Sequence, residues 1–287
     1  MIDLHTHTTA SDGSLTPREL VMRAARQGVR ALAVTDHDTL DGLAEAMAAG
    51  REFGVEIVPG LEISAEFSTG TMHILGYYIA LDAPVLSSQL AQLRDARNQR
   101  NPRIVAKLQA LGFDITLDEV EAKAGGVVIG RPHFARVMVE KGYVATAQEA
   151  FDRFLAKGAA AYVDKARLEP SAAIEAIRGA GGVAVLAHPY QLRTRDEAEL
   201  NKIVASLKEA GLDGMEVIYS RHSATQIEQY QRLASHYELL ITGGSDFHGI
   251  TKPDIEVGVG LGELNIPAEL LDGVKTRAAA HREHYCR

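Results

Sequence analysis

The chain reads as an α/β fold, in which short apolar strands alternate with helices over a length that one barrel can use. Three observations predict it. Apolar runs such as Ala31-Leu32-Ala33-Val34 and Val183-Ala184-Val185-Leu186-Ala187 recur between helical stretches, and such runs suit a parallel sheet covered on both faces. Polar or ionisable residues follow each run, at the strand ends where α/β barrels and open sheets place their sites. The 287 residues, 46% of them hydrophobic, are compatible with one barrel and leave room for a modest second domain.

In chain order, a first strand begins at Ile2 and ends in His5-Thr6-His7. Thr16-Pro17-Arg18-Glu19 then starts a helix, with Thr16 as N-cap, Pro17 at the first helical position and Glu19 closing a capping box. Leu20, Ala24 and Ala25 share a face of that helix, which stops at Gly28. The strand Ala31–Val34 leads to Thr35-Asp36-His37-Asp38, a helix covers Leu40 to Phe53, and Ile57-Val58-Pro59 runs into Gly60-Leu61-Glu62-Ile63-Ser64. Met72–Tyr77 is a further strand.

From Pro84 to about Tyr162 the alternation is lost. Leu86, Leu90 and Leu93 stand at helical spacing, Gly125-Gly126-Val127 begins a break, and Arg131-Pro132-His133-Phe134 starts another helix. Residues 99–166 are therefore expected to form a small helical insertion between barrel segments 1–98 and 167–287. Alternation resumes with a helix from Pro170, strands at Val183–Ala187, Gly214–Tyr219 and Leu239–Gly243, and a final helix with Pro267 just inside it.

Thirty basic and 38 acidic side chains give a net charge of −8, which argues against a broad surface for duplex DNA. A short nucleotide in a pocket stays compatible, because divalent cations reverse the local field. The single Cys286 cannot form an internal disulfide, which fits a reducing compartment. Without an N-terminal leader or an apolar stretch of membrane length, the protein is expected in the cytoplasm. Nothing in the sequence sets an oligomeric state.

The chemistry concentrates at strand ends. Side chains two apart in a strand point to one face, so His5 and His7 can present two imidazoles to one point. A lone histidine there would be an ordinary packed residue. Two of them, with Asp12 and Asp36-His37-Asp38 close behind, are costly unless something pairs them. Collected along the chain, the metal-capable set is His5, His7, Asp12, His37, Glu62, His73, His188, Asp246 and His248. A closed barrel brings C-terminal strand ends to one rim, where this scattered set becomes a cluster. It exceeds what one tetrahedral ion needs, so two or three ions are expected. Asp12-Gly13 is also a common turn pair, which gives Asp12 a structural alternative.

Four pieces, His5-Thr6-His7, Thr35-Asp36-His37, Glu62-Ile63-Ser64 with His188-Pro189, and Ser245-Asp246-Phe247-His248, together resemble the PHP (polymerase and histidinol phosphatase) family. The resemblance covers essentially the whole chain outside the insertion. It implies a distorted (β/α)7 barrel with a trinuclear metal site and phosphoester hydrolysis. By that resemblance His5, His7, Glu62 and Asp246 would hold one ion, Asp12, His37 and His248 a second, and Glu62, His73 and His188 a third. Many members carry histidine where Asp12 stands, and a carboxylate there favours manganese or iron over zinc, manganese first. The Gly130–Phe134 element within a helical insertion looks most like the subgroup that hydrolyses 3',5'-nucleoside bisphosphates, which is also associated with 5'-to-3' removal of nucleotides from short RNA.

For that reaction His222, just after the Glu216–Tyr219 strand, is the candidate to protonate the leaving ribose oxygen, with an exposed helix-start histidine as its bland alternative. Arg131 is the leading candidate for the second phosphate, because guanidinium offers a bidentate fork; His133 and Arg193 are weaker ones. Asp36 and Asp38 are expected either to orient His37 or to cap the following helix, and Gly243-Gly244 to permit a tight turn before Asp246. The rivals are a histidinol-phosphate phosphatase, a metal-binding regulatory domain without turnover, and a carbon–nitrogen hydrolase on a related barrel.

Overall fold

The computed structural model describes residues 1–124 and 128–285; Gly125, Gly126, Val127 and Cys286, singled out above, lie outside them. One seven-stranded sheet runs in sequence order: β1 (Ile2–Asp3), β2 (Ala31–Val34), β3 (Glu56–Ala65), β4 (Met72–Tyr77), β5 (Val183–Leu186), β6 (Gly214–Tyr219) and β7 (Leu240–Gly244). All neighbours pair in parallel except around β4, which is antiparallel to both β3 and β5. The segment after β1 lies along the exit of β7: Leu4 N–H donates to the Gly243 carbonyl at 3.1 Å, Asp246 N–H to His5 at 2.8 Å, and His7 N–H to Phe247 at 2.9 Å. This seam brings the sheet to a nearly closed, distorted seven-strand barrel, as the resemblance implied.

Gly244 makes the seam possible. A Cβ there would lie 2.2 Å from the His5 Cβ, so the residue serves close approach between strands, and the turn expected of it is not its role.

The helices α1 (Pro17–Arg26), α2 (Leu43–Phe53), α7 (Pro170–Gly179), α8 (Glu197–Glu209), α9 (Ala224–His236) and α10 (Leu270–Tyr285) surround the sheet. Thr16 and Glu19 form the expected capping box of α1. The α2 helix starts later than Leu40, with Gly42 as its N-cap. Two residues separate Pro267 from the start of α10, so the proline precedes that helix.

The stretch without alternation begins with α3 (Pro84–Ala110), one continuous helix that runs through the boundary drawn at residue 98. Its Leu86, Leu90 and Leu93 pack on the barrel core, whereas Ile104, Val105 and Leu108 enter a separate hydrophobic cluster. That second cluster is completed from α4 (Leu117–Glu121), α5 (Arg131–Glu140), α6 (Ala147–Ala150) and the wide turn Phe151–Leu155, around fully buried Phe134. Among the described residues, no helix is long and apolar enough to cross a membrane.

Candidate metal centre

All nine metal-capable residues meet at one rim of the barrel. His5 and His7 follow β1, His37 follows β2, Glu62 lies in the last half of β3, His188 follows β5, and Asp246 and His248 follow β7. His73 is different: it sits at the start of β4. Because β4 runs backwards, its start pairs with Ser64 at the end of β3 and reaches the same rim.

Glu62 is the hub. Its Oε1 lies 2.8 Å from His73 Nδ1 and 2.9 Å from His188 Nε2. Its Oε2 lies 3.0 Å from His37 Nδ1, 3.2 Å from His7 Nε2 and 3.4 Å from His5 Nε2. Asp246 Oδ1 stands 3.4 Å from His7 Nε2, and Asp12 Oδ1 3.2 Å from His248 Nε2. Two donors on one ion, with bonds of about 2.1 Å, stand about 3.0–3.4 Å apart. The nitrogens that face Glu62 from His5 (Nε2), His7 (Nε2) and His37 (Nδ1) are buried without a hydrogen-bond partner. Such orphans are costly unless a cation takes their lone pairs, so the donor set fits divalent metal ions.

The electrostatics agree. Burial pushes the Glu62 carboxyl up, yet His73, His37 and His5 hold it well below the usual range. Against the same push, His37 and His248 hold Asp12 down, and Lys252 and His5 hold Asp246 down. Burial pushes His5 down, but Glu216, Glu62 and Asp246 raise it well above normal; the Asp246 and Glu62 carboxylates beside His7 lift it to about 9 despite its burial. The buried carboxylates thus demand positive charge at the centre, from protons on these imidazoles or from cations that displace them.

Neighbouring groups set the orientation of the donors. Glu216, fully buried in β6, lies 2.9 Å from His5 Nδ1 and accepts the His188 N–H at 2.7 Å. It thereby turns the His5 Nε2 toward Glu62. Sequence reasoning missed it; the available signal was one carboxylate inside an otherwise apolar strand. Asp36 accepts the Thr8 N–H at 2.8 Å and the Thr8 and Ser11 hydroxyls at 2.6 and 2.5 Å, shaping the loop that carries Asp12. Asp38 accepts the Ser64 N–H at 2.8 Å and pairs with Arg97. Neither takes the expected part of orienting His37 or capping α2. Asp38, His188 and Asp246 all have left-handed φ, of 54°, 24° and 58°, a local strain concentrated beside the centre.

The structure does not bring the other candidates together in the same way. His222 is buried away from the cleft, with Nδ1 2.8 Å from the Val217 carbonyl. Burial lowers its pKa to about 4, so near neutral pH the ring has no spare proton for a leaving group. His133 is buried, and its Nδ1 accepts the Gly130 N–H at 2.9 Å, closing the start of α5. Arg193 is exposed and lines neither cavity at the rim.

Arg131 does face the site. Together with Arg97, Arg100, Lys165 and Arg167 it lines a cavity of about 170 Å³ that shares His37, His73 and Asp12 with the metal centre. Burial depresses Arg131, with the nearby cations Arg167 and Arg97 adding to it. Arg100 falls to about 9 through burial and then through Arg97 and Arg131, and Lys165 is held well below normal by burial and Arg97. Asp38 pairs with Arg97 and Asp164 with Arg167, which leaves the charge of Arg100, Arg131 and Lys165 in excess and suits the cavity to an anion. A larger cleft, about 830 Å³, takes in seven of the donors themselves and opens between the Ile250–Asp254 loop and residues Thr146–Gln148 and Phe151.

A distorted α/β barrel with a rim of histidine and carboxylate donors defines a metal-dependent hydrolase. The chain belongs to the PHP family: the model of the PHP domain matches residues 3–250. It is 38% identical over 246 residues to a 5'-3' exoribonuclease of Haemophilus influenzae, covering 86% of this chain and 89% of that one. It is 34% identical over 258 residues to a 3',5'-nucleoside bisphosphate phosphatase of Chromobacterium violaceum, covering 90% of each. Among solved structures, a Bifidobacterium adolescentis protein described as a metal-dependent phosphoesterase superposes with a TM-score of 0.86 at 35% identity, covering 96% and 95% of the two chains. The chain is accordingly a metal-dependent phosphoesterase of the PHP family.

Proposed function

We propose that the protein removes the 3'-phosphate from nucleoside 3',5'-bisphosphates, and takes 5' nucleotides from short RNA at the same site. The observation that carries this reading is the cationic cavity beside the metal centre. A substrate with two phosphates can place one at the metal ions and the other among Arg97, Arg100, Arg131 and Lys165. A histidinol phosphate has no second anion for that cavity. The relatives named for bisphosphate and for RNA hydrolysis support the same choice.

The two reactions are one reaction. Water oxygen bonds to phosphorus, the bond from phosphorus to O3' breaks, and O3' takes a proton. A bisphosphate yields the nucleoside 5'-monophosphate and inorganic phosphate. RNA yields the same monophosphate and a chain shortened by one, which again carries a 5'-phosphate. The nine donors would hold the ions in the three sets that the family resemblance implies, two of which share Glu62, with manganese the expected occupant. Divalent ions there supply Lewis-acid activation of water and neutralise charge on the phosphoryl oxygens. Lys252 and Tyr219 hold the outer oxygen of Asp246 at 2.5 and 2.7 Å, leaving Oδ1 for the centre. The place of work is the cytoplasm, in keeping with the single cysteine.

The test is phosphate and nucleotide release, with manganese, from bisphosphates, mononucleotides, histidinol phosphate and short RNA. Bisphosphate and 5'-phosphorylated RNA should lead. Preference for histidinol phosphate overturns the reading, and complete inactivity with every ester favours the regulatory domain. Arg131→Ala should raise KM for a bisphosphate about tenfold more than for a 3'-monophosphate, the scale of one lost charge-assisted contact. Equal effects on both would remove its role.

A further inference from the structure

The metal centre has two outlets of unequal size. The cationic cavity, about 170 Å³, takes one phosphate; the cleft, about 830 Å³, takes in most of the metal donors and runs on past them to Tyr190, Arg221 and Asp254. A bisphosphate carries nothing beyond its reacting phosphoryl group, so it has nothing to place at the end of the cleft lined by Tyr190, Arg221 and Asp254. An RNA chain does, since everything downstream of the first nucleotide is attached to the reacting phosphoryl.

The wall of the cleft is built for a base and a backbone. Tyr190 lines it, half-buried, with its ring 5.6 Å from that of Tyr219 and 5.5 Å from that of His222. His222 in turn packs edge-on against Tyr230 at 4.9 Å and tilted against Tyr219 at 4.9 Å. The buried imidazole therefore acts as a buttress that fixes the Tyr190 ring from behind. A ring held this firmly loses little freedom when a base lies on it, and base–aromatic stacking tolerates any sequence. Arg221, on the same wall, is exposed and paired at 2.7 Å with Asp254, an ion pair that water already weakens and that a phosphate can exchange.

We infer that this cleft is the path of the RNA strand beyond the reacting phosphoryl, with Tyr190 as the platform for its first base and Arg221 as a contact for its next phosphate. The inference rests on the proposed function and assigns residues to it. It explains how one centre serves a free bisphosphate and a chain: the cationic cavity fixes the 5'-phosphate in both, and only the chain reaches Tyr190.

The experiment compares kcat/KM for a nucleoside 3',5'-bisphosphate and a 5'-phosphorylated tetranucleotide, in the manganese-loaded full chain. Tyr190→Ala should lower the tetranucleotide value about tenfold more than the bisphosphate value, the scale of one lost stacking contact. Tyr190→Phe should restore the ratio. Arg221→Gln, at an exposed position, should lower the ratio about threefold and make RNA turnover less sensitive to salt. Unchanged ratios in Tyr190→Ala and Arg221→Gln overturn the inference, as does a wild-type enzyme that hydrolyses the bisphosphate but no tetranucleotide, with the phosphatase reading left standing. Hydrolysis of neither substrate overturns both.

Discussion

Several donors at the centre depend on neighbours that never touch the reacting atoms. Glu216 is the sharpest case, because one carboxylate fixes the His5 ring through Nδ1 and the His188 backbone through its N–H. Glu216→Gln keeps the shape and removes the charge, and should weaken metal affinity about 10–100-fold. A chelator competition read by manganese paramagnetic resonance, with circular dichroism to confirm folding, checks this. Affinity within twofold of wild type would end the assignment. At this scale the sequence was readable where a residue stands in a dense local pattern, as His5 and His7 do. Glu216 was not, since a lone carboxylate in a strand looks the same whether it meets solvent or a histidine 211 positions away. His222 illustrates the reverse: its position after a strand suggested chemistry, while burial and the Val217 carbonyl leave it a packing role.

Among the elements, capping and apolar patterning made α1, β2, β4 and β5 legible, because those signals are local. The reversal of β4 was not, because an apolar run carries no mark of its direction. The opposite end of the barrel holds a comparable non-local tie. Asp213, buried just before β6, accepts the Ala184 N–H at 3.1 Å and pairs at 2.8 Å with Arg277 of α10. Burial pushes Asp213 up, but His281, the Ala184 N–H and Arg277 hold it below its ordinary value. A depressed folded pKa stabilises above the unfolded value of about 4 and is lost as pH falls through the folded one. Asp213→Asn should thus cost about 1–3 kcal/mol near pH 7 and much less near pH 2. Urea denaturation at both pH values measures the difference, and a pH-independent loss would contradict the electrostatic account.

Over the whole molecule, two hydrophobic clusters meet along α3, the barrel's and that of residues 104–163. Phe134 is fully buried in the second cluster, so Phe134→Ala should remove about 3–5 kcal/mol there. Hydrogen exchange should then show amides of α5 and α4 losing protection ahead of those in β2 and β5. Equal loss in both clusters would mean one cooperative unit. The helices of the second cluster also supply Arg131 and Pro132, and the turn after them Phe151, to the cavities at the rim, so loosening that cluster should raise KM for a bisphosphate before it lowers barrel stability.

The sequence by itself determined the donor types and most of their supporting strands, because metal-binding side chains are chemically rare and strand periodicity is written in neighbouring residues. Only the tertiary structure decided which donors share an oxygen of Glu62, that β4 arrives backwards, and that Arg97, Arg100, Arg131, Lys165 and Arg167 crowd one cavity. Those outcomes depend on contacts between residues far apart in the chain, and on burial that turns a solvated charge into one needing a partner. Neither is encoded by any single stretch.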